Sequence, residues 1–262
     1  MKLHTSFFYV WLFLLTVTMV QCRKDSTKPL GPGILLTVDK PVDTWYYLKD
    51  FLKENNVKLT FYIEMYQDLQ DTSKVKMKAL MADGHEMAHH TSTHPHSDDY
   101  VKQYGIDAYM KKEIFAMTDS MKKDGFNPVT YAYPFGDCTT ELDTRLLEHF
   151  NSLRKVLGTY MNKRIADMDQ VYFRYGDIKL FYGIGIDVRY NRSLDEVFEA
   201  LEKAKNSRQT VSLYCHYLSV DGKPHEGSDS HILEDDFKKI ILKAKELGLR
   251  FYTASEVSRK KY

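Results

Sequence analysis

The sequence predicts a single α/β domain, a distorted (β/α) barrel of about seven strands. Three observations predict it. Short apolar runs alternate with amphipathic segments about seven times from Ile34 to Thr253, the pattern of a parallel sheet wrapped by helices. No glycine-rich dinucleotide fingerprint is present, which argues against an open doubly wound sheet. The residues with chemistry in them, Asp39, His90, Phe135-Gly136 and His216, fall at or just after the C-terminal ends of predicted strands, where such a barrel keeps its site.

Residues 1–21 read as a signal peptide outside the fold. Lys2 and His4 precede an apolar run from Phe7 to Val20, interrupted only by Thr16 and Thr18. At about 1.5 Å per residue the run is too short to span a ~30 Å hydrocarbon core as a helix, but it suits a signal-peptide core. Cys22 follows directly, and an apolar run ending at a cysteine resembles a bacterial lipoprotein signal, with Gln21 where a small residue is usual. The expectation is an exported protein held at the cell envelope by a lipid on Cys22, its one contact with a membrane; plain secretion is the alternative. Residues 22–32 are then a tether and 33–262 the domain.

Within the domain, Ile34 to Asp39 is the first strand, and Asp43 is placed to cap a helix running to about Glu54. Val57 to Ile63 is the second strand, ending at Glu64; Lys74 to Ala82 is a helix closed by Asp83-Gly84. His85 to His90 is the third strand. A long polar helix from about Asp98 to Lys123 leads to the strand Val129–Tyr133 and the turn Pro134–Asp137. Leu142, Leu146, Leu147 and Phe150 share one helical face, and Lys155 to Tyr160 is the next strand. Short strands follow at Val171–Tyr175 and Leu180–Ile186. Ser193 with Glu196 forms a capping box before a helix bearing Val197, Ala200, Leu201 and Ala204. Val211 to Cys215 ends at His216, Leu233 to Leu247 is the last long helix, stopped by Gly248, and Arg250 to Thr253 closes the domain.

Composition excludes several partners. The 37 basic residues, of which Lys2 lies in the leader, balance 36 acidic ones, leaving no electrostatic footprint for nucleic acid or an anionic membrane surface. After Cys22 only Cys138 and Cys215 remain, too few for a disulfide-stapled scaffold, and they read as free thiols at the barrel rim. The sequence has no internal repeat or linker, and a monomer is expected.

The stretch Gly84 to His96 holds five of the ten histidines. Such a cluster is a metal site, an acid/base site or an accident of composition, and its density argues against accident. His90 and His94 are the chosen pair, because the small polar residues between them suit a tight turn and Pro95 disfavours helix at His94. His85, His89 and His96 read as structural or solvated.

From about Gly31 to Val257 the chain resembles the polysaccharide deacetylases, the NodB-homology carbohydrate esterases. Four stretches carry the resemblance, in the family's order: Leu36-Thr37-Val38-Asp39, His90-Thr91-Ser92-Thr93-His94, Tyr133-Pro134-Phe135-Gly136, and Leu213-Tyr214-Cys215-His216. The second, a His-Ser/Thr-x-x-His motif, is specific; the others persuade by their order. The resemblance implies a metal-dependent hydrolase that removes acetyl groups from an acetylated glycan, at nitrogen or oxygen. It makes Asp39 the base, His216 the general acid and the Phe135 N–H an oxyanion donor, with His90 and His94 on a divalent metal, zinc first and cobalt or nickel as alternatives. Plainer roles stand beside these: Asp39 as a helix cap, His216 as a hydrogen-bonded barrel histidine, and Pro134-Phe135-Gly136 as a simple turn.

Two departures bear on the metal and the base. Lys40 stands where the family places a second, metal-binding aspartate, and an ammonium cannot coordinate a cation. Ala132 stands where an arginine that orients the base is usual, and Gly185-Ile186-Asp187 is at best a remnant of the aspartate–tryptophan motif that tunes it. Either Asp39 becomes a ligand, with Asp43 or water completing the set, or the metal is lost and the protein is an inactive, glycan-binding surface lipoprotein. The density of histidines favours the first, with Lys40 lying along the rim and its head in solvent.

Overall fold

The computed structural model describes residues 31–40, 42–158, 163–174, 176, 178–220 and 228–258. The leader, Cys22 and the tether as far as Leu30 lie outside these residues. The strands in chain order are β1 (Gly33–Val38), β2 (Thr60–Ile63), β3 (Glu86–His89), β4 (Thr130–Ala132), β5 (Ser152–Val156), β6 (Tyr172–Phe173), β7 (Leu180–Gly185), β8 (Thr210–Cys215), β9 (Tyr217–Ser219), β10 (His231–Leu233) and β11 (Arg250–Tyr252). Seven of them are parallel neighbours in the order β1-β2-β3-β4-β5-β7-β8. β8 then pairs back onto β1 from Gly33↔Thr210 to Val38↔Cys215, which closes the barrel.

The distortion has a definite form. On one edge of β1, residues 33–35 pair with β11 while Thr37 and Val38 pair with β2. On one edge of β8, Thr210 and Val211 pair antiparallel with β6 while Leu213 and Tyr214 pair with β7. The barrel is therefore splayed at its N-terminal end on both sides of the β1–β8 pair, and β11 and β6 satisfy the backbone groups that the splay would leave bare. β9 and β10 form a separate parallel pair.

Side chains alternate along each strand, and the two faces serve different cores. Ile34, Leu36, Val38, Phe61, Ile63, Val211 and Leu213 point outward and pack with helix residues such as Leu52, Met77, Leu80, Leu201 and Ile240. Each fully buried side chain of this size contributes roughly 1.5–3 kcal/mol. Inward, Leu35, Tyr62, Ala88, Ala132 and Phe181 fill the barrel, plugged by Tyr252, Ala254 and Val257. Continuing the inward alternation upward on each strand leads to Asp39, Glu64, His90, Arg154, Tyr214 and His216. The site is the next layer of the barrel's own interior.

Several elements differ from expectation. The fifth strand is Ser152–Val156, three residues earlier than predicted, because Leu153 faces the outer cluster of Tyr131 and Tyr133 while the charged Arg154 faces in. The polar helix is broken after Tyr104 by Gly105, whose φ of 86° no continuing helix admits, and resumes from Ile106 to Lys123 through a wide turn at Met110–Phe115. Asp43 caps nothing; its carboxylate accepts from Ser73 (2.7 Å) and Lys76 (2.6 Å). Ser193 caps its helix by accepting from the Glu196 N–H, but the Glu196 carboxylate turns to Arg192 and the Ile165 N–H rather than completing the box. Cys138 and Cys215 are free thiols. Among the described residues no helix is long and apolar enough to cross a membrane.

Candidate metal and active site

At the C-terminal ends of the barrel strands lies a cavity of about 430 Å³, lined by Asp39, Lys40, His90, His94, Phe135 and His216 together with Arg189, Tyr190, Tyr214 and Ser230. The structure thus brings together the candidates from all four sequence stretches.

The turn between the two histidines is built from backbone that few side chains adopt. Thr91 has φ 74° and His94 φ 54°. What holds it is Glu113, fully buried on the neighbouring helix, whose carboxylate accepts from the Thr93 N–H and hydroxyl, both at 2.8 Å. The Thr91 hydroxyl accepts from the His94 N–H at 3.0 Å. His90 Nδ1 lies 2.8 Å from the Ala132 carbonyl, which can only accept, so Nδ1 carries the proton and Nε2 faces the cavity with its lone pair. Burial lowers the pKa of both His90 and His94, which keeps them neutral near pH 7, the state a ligand needs.

Glu64, at the end of β2, completes a group with these histidines whose ligand atoms lie within 4.8 Å of one another. His90 Nε2 is 3.2 Å from His94 Nε2, and His94 Nε2 is 3.4 Å from Glu64 Oε2. Tetrahedral coordination with bonds of ~2.0–2.2 Å spaces its ligands about 3.3 Å apart. Glu64 Oε2 is buried without a hydrogen-bond partner, as a carboxylate oxygen awaiting a cation would be. The residues fit a divalent ion.

Lys40 does not hold its head in solvent, as the sequence reading had it. Its ammonium lies 2.6 Å from Glu64 Oε1, its side chain 20% exposed, beside the Tyr217 ring. Asp39 is bound instead by Arg154, whose Nη2 donates to Oδ2 at 2.5 Å. Arg154 is fully buried, its guanidinium stacked near Tyr214 (4.8 Å) and Tyr62 (5.3 Å). Ala132 and Arg154 are register partners across β4 and β5. The arginine missing from the third motif therefore comes from the adjacent strand. Burial pushes the Asp39 pKa up, but Arg154, His90 and His216 together outweigh it and the net shift is down. Oδ1 of Asp39 is buried and has no hydrogen-bond partner.

Asp187 is a working partner rather than a remnant. Its Oδ2 is 2.5 Å from His216 Nδ1 and its Oδ1 accepts from the His216 N–H at 3.0 Å, so the ring presents Nε2 to the cavity. Trp45 fixes the same residue from behind, donating to the His216 carbonyl at 2.8 Å. Phe135, φ 57°, lines the cavity with half its surface exposed, and its ring is sandwiched by His96, stacked at 3.9 Å, and His94, edge-on at 4.7 Å. Gly136 has φ 83°, and a Cβ there would stand 2.6 Å from that of Val156, so the turn admits only glycine. Of the remaining histidines, His89 uses Nε2 on the Ile114 carbonyl and Nδ1 on the Thr91 N–H, burial pushing its pKa down to about 3. His85 accepts from the Leu59 N–H far from the cavity.

Sequence reasoning missed Glu64 and Arg154. Glu64 was findable, since it follows β2 by one residue as Asp39 follows β1 and His90 follows β3. Arg154 was hidden by the misplaced fifth strand.

Residues 27–151 match the family model described as polysaccharide deacetylase. Similar solved structures include the chitin deacetylase of the fungal pathogen Colletotrichum lindemuthianum, with TM-score 0.57 and 16% identity over 88% of this chain and 89% of that one. Peptidoglycan deacetylase PdaC from Bacillus subtilis aligns with TM-score 0.53 and 17% identity over 88% and 91%. A family 4 carbohydrate esterase from Streptomyces lividans, solved with acetate, gives 0.53 and 16% over 86% and 93%. At these identities the likeness is one of fold. No curated protein matches the chain.

Proposed function

We propose, from the premise that this chain belongs to the polysaccharide deacetylase family, that it is a metal-dependent hydrolase removing N- or O-acetyl groups from an acetylated glycan. The observation that carries this is Glu64: a carboxylate with an unpartnered, buried oxygen beside His90 and His94, where Lys40 had seemed to remove the third ligand. Glu64, His90 and His94 would hold the ion, zinc first among divalent metals. A divalent ion there supplies Lewis-acid polarisation of the acetyl carbonyl and acidifies a water.

The chain's own residues supply the rest. Asp39, kept ionised by Arg154, holds Oδ2 on the guanidinium and leaves Oδ1 to take the attacking water's proton. Arg154 also fixes the carboxylate's angle, at the expense of its basicity. His216, oriented by Asp187, offers a proton from Nε2 to the departing amine or alkoxide. The Phe135 N–H, on a backbone forced into the left-handed region, is the oxyanion donor; Pro134 before it has none. Export, with residues 1–21 as leader and a lipid on Cys22, belongs to the same proposal and is tested by fatty-acid labelling of wild type against Cys22→Ser.

A second reading has its own observation. The 2.6 Å Lys40–Glu64 pair already neutralises the carboxylate, as in a protein that binds glycan without metal. Acetate release from acetylated xylo- and chito-oligosaccharides, with metal content measured on the same sample, separates the two. Metal-loaded protein that releases no acetate would overturn the hydrolase reading.

A further inference from the structure

Among the described residues the cavity's charges are matched in pairs, with one exception. Asp39 is bound by Arg154, Glu64 by Lys40, and Asp187 by His216. Arg192 is bound to Glu196. Arg189 also lines the cavity, and among the described residues it makes no ion pair with any carboxylate. Asp229 offers the Arg189 N–H its backbone carbonyl at 3.1 Å, and no ion pair joins the two side chains.

The Arg189 side chain is nonetheless placed. Nη1 donates to the Ser230 hydroxyl at 2.7 Å, and the guanidinium lies over the Tyr190 ring, 4.9 Å from its centre. Tyr190 is itself seated firmly. Its ring lies against the backbone of Gly185, where a Cβ would come within 2.0 Å of it, and its hydroxyl is 2.6 Å from that of Tyr214. Tyr214 packs edge-on to His216 at 5.7 Å. Neutral contacts thus fix a guanidinium without cancelling its charge, and they fix it on the side of the cavity where His216 stands. A planar fork with free donors matches a carboxylate better than any neutral sugar hydroxyl.

We propose that Arg189 is a specificity-determining residue, selecting acetylated glycans that carry a sugar carboxylate beside the acetylated unit. The placement rests on the deacetylase reading, in which His216 protonates the departing group: the sugar skeleton must then lie on the His216 side, within reach of Arg189. Because Arg189 is exposed, its preference is modest, about fivefold in affinity.

The test uses matched ligands that differ only in charge. An acetylated oligogalacturonide and an acetylated glucuronoxylan oligosaccharide are each compared with their methyl esters, by calorimetry on the full-length protein. Wild type is expected to bind the acids about fivefold more tightly than the esters, and Arg189→Met to bring that ratio close to one. Arg189→Lys, which keeps the charge but loses the fork, should fall between. Equal affinity of wild type for acid and ester, no binding of the acids, or an unchanged ratio in Arg189→Met overturns the proposal. Acetate release on the same samples keeps the two readings apart. A charge preference with no acetate released by zinc-loaded samples leaves the subsite standing and the hydrolase reading refuted; acetate released alike from acids and esters does the reverse.

Discussion

Replacing Lys40 by Met should tighten metal binding, and the structure sets the size of the effect. The ammonium is 2.6 Å from Glu64 Oε1, and the two side chains are 20% and 9% exposed, so the pair is not screened like one on the surface. A hydrogen bond between charged groups in such a setting contributes roughly 1.5–3 kcal/mol net of desolvation. A cation on Oε2 faces that ammonium across one carboxylate, and the two compete for its charge at a cost up to the strength of the bond. The cost to metal affinity is therefore up to about 10- to 150-fold, at 1.4 kcal/mol per tenfold. Lys40→Met removes the competitor while keeping an unbranched stem against Tyr217. Its zinc Kd, measured by calorimetry with a competing chelator, should fall by about one to two orders of magnitude.

The same substitution has an opposite effect without metal. Glu64 is then buried with no cationic partner, which should cost about 1–3 kcal/mol and lower the melting temperature by roughly 2–10 °C in a domain of this size. Zinc should restore the loss, because it binds the folded state alone. Zinc affinity in Lys40→Met equal to or weaker than wild type would refute the reasoning, since it would mean that Glu64 is not a ligand or that Lys40 does not compete for it.

Three further outcomes are expected. Glu64→Gln and His94→Ala should each lower bound zinc by orders of magnitude in elemental analysis, whereas His96→Ala, which removes the stack on Phe135 and the contact with Asp137 but no ligand atom, should retain it. Adding Lys40→Asp to Glu64→Gln should return zinc to the protein, by offering a carboxylate from the neighbouring strand. Arg154→Met should leave Asp39 buried with its burial no longer offset, so the Asp39 pKa rises and the acid limb of the rate profile moves to higher pH. In wild type the Asp39 pKa is lower folded than unfolded; its contribution to stability is complete above the ordinary carboxylate range and lost as pH falls through the folded value. Losing the buried partner should cost about 3–5 kcal/mol in urea unfolding.

How far the sequence could be read depended on which interactions are local. Alternation and strand-end position are local, and they placed the barrel, His90 and His94, Asp39 and His216. Gly105 broke a helix that periodicity alone would continue, because one residue's φ outweighs the propensity of its neighbours. The fifth strand was shifted because Arg154 and Lys155 disguised it; a charged residue inside a barrel is tolerated only through a partner, and that partner, Asp39, lies 115 positions away. A shorter separation, 29 positions from His216, hid the role of Asp187, which the sequence shows only as a lone acid after a strand.

The two departures that had set the activity in question share one geometry. In a parallel barrel, inward side chains on adjacent strands stand about 5 Å apart at the same height, so a point in the cavity can be reached from either strand by side chains of different length. Arg154 reaches Asp39 from β5 beside an alanine on β4, and the two are paired residue for residue. Glu64 reaches the histidines from the end of β2, while the end of β1 carries Lys40. A charge lost at one strand is in each case present on its neighbour. The relocated carboxylate differs from an aspartate in its original place in one respect: it comes with a lysine 2.6 Å away. An aspartate at position 40 would leave no ammonium there to oppose a cation. With Lys40 present, an ion on Oε2 has to share the carboxylate with the ammonium on Oε1, and in the proposed function that competition sets how readily the site loads.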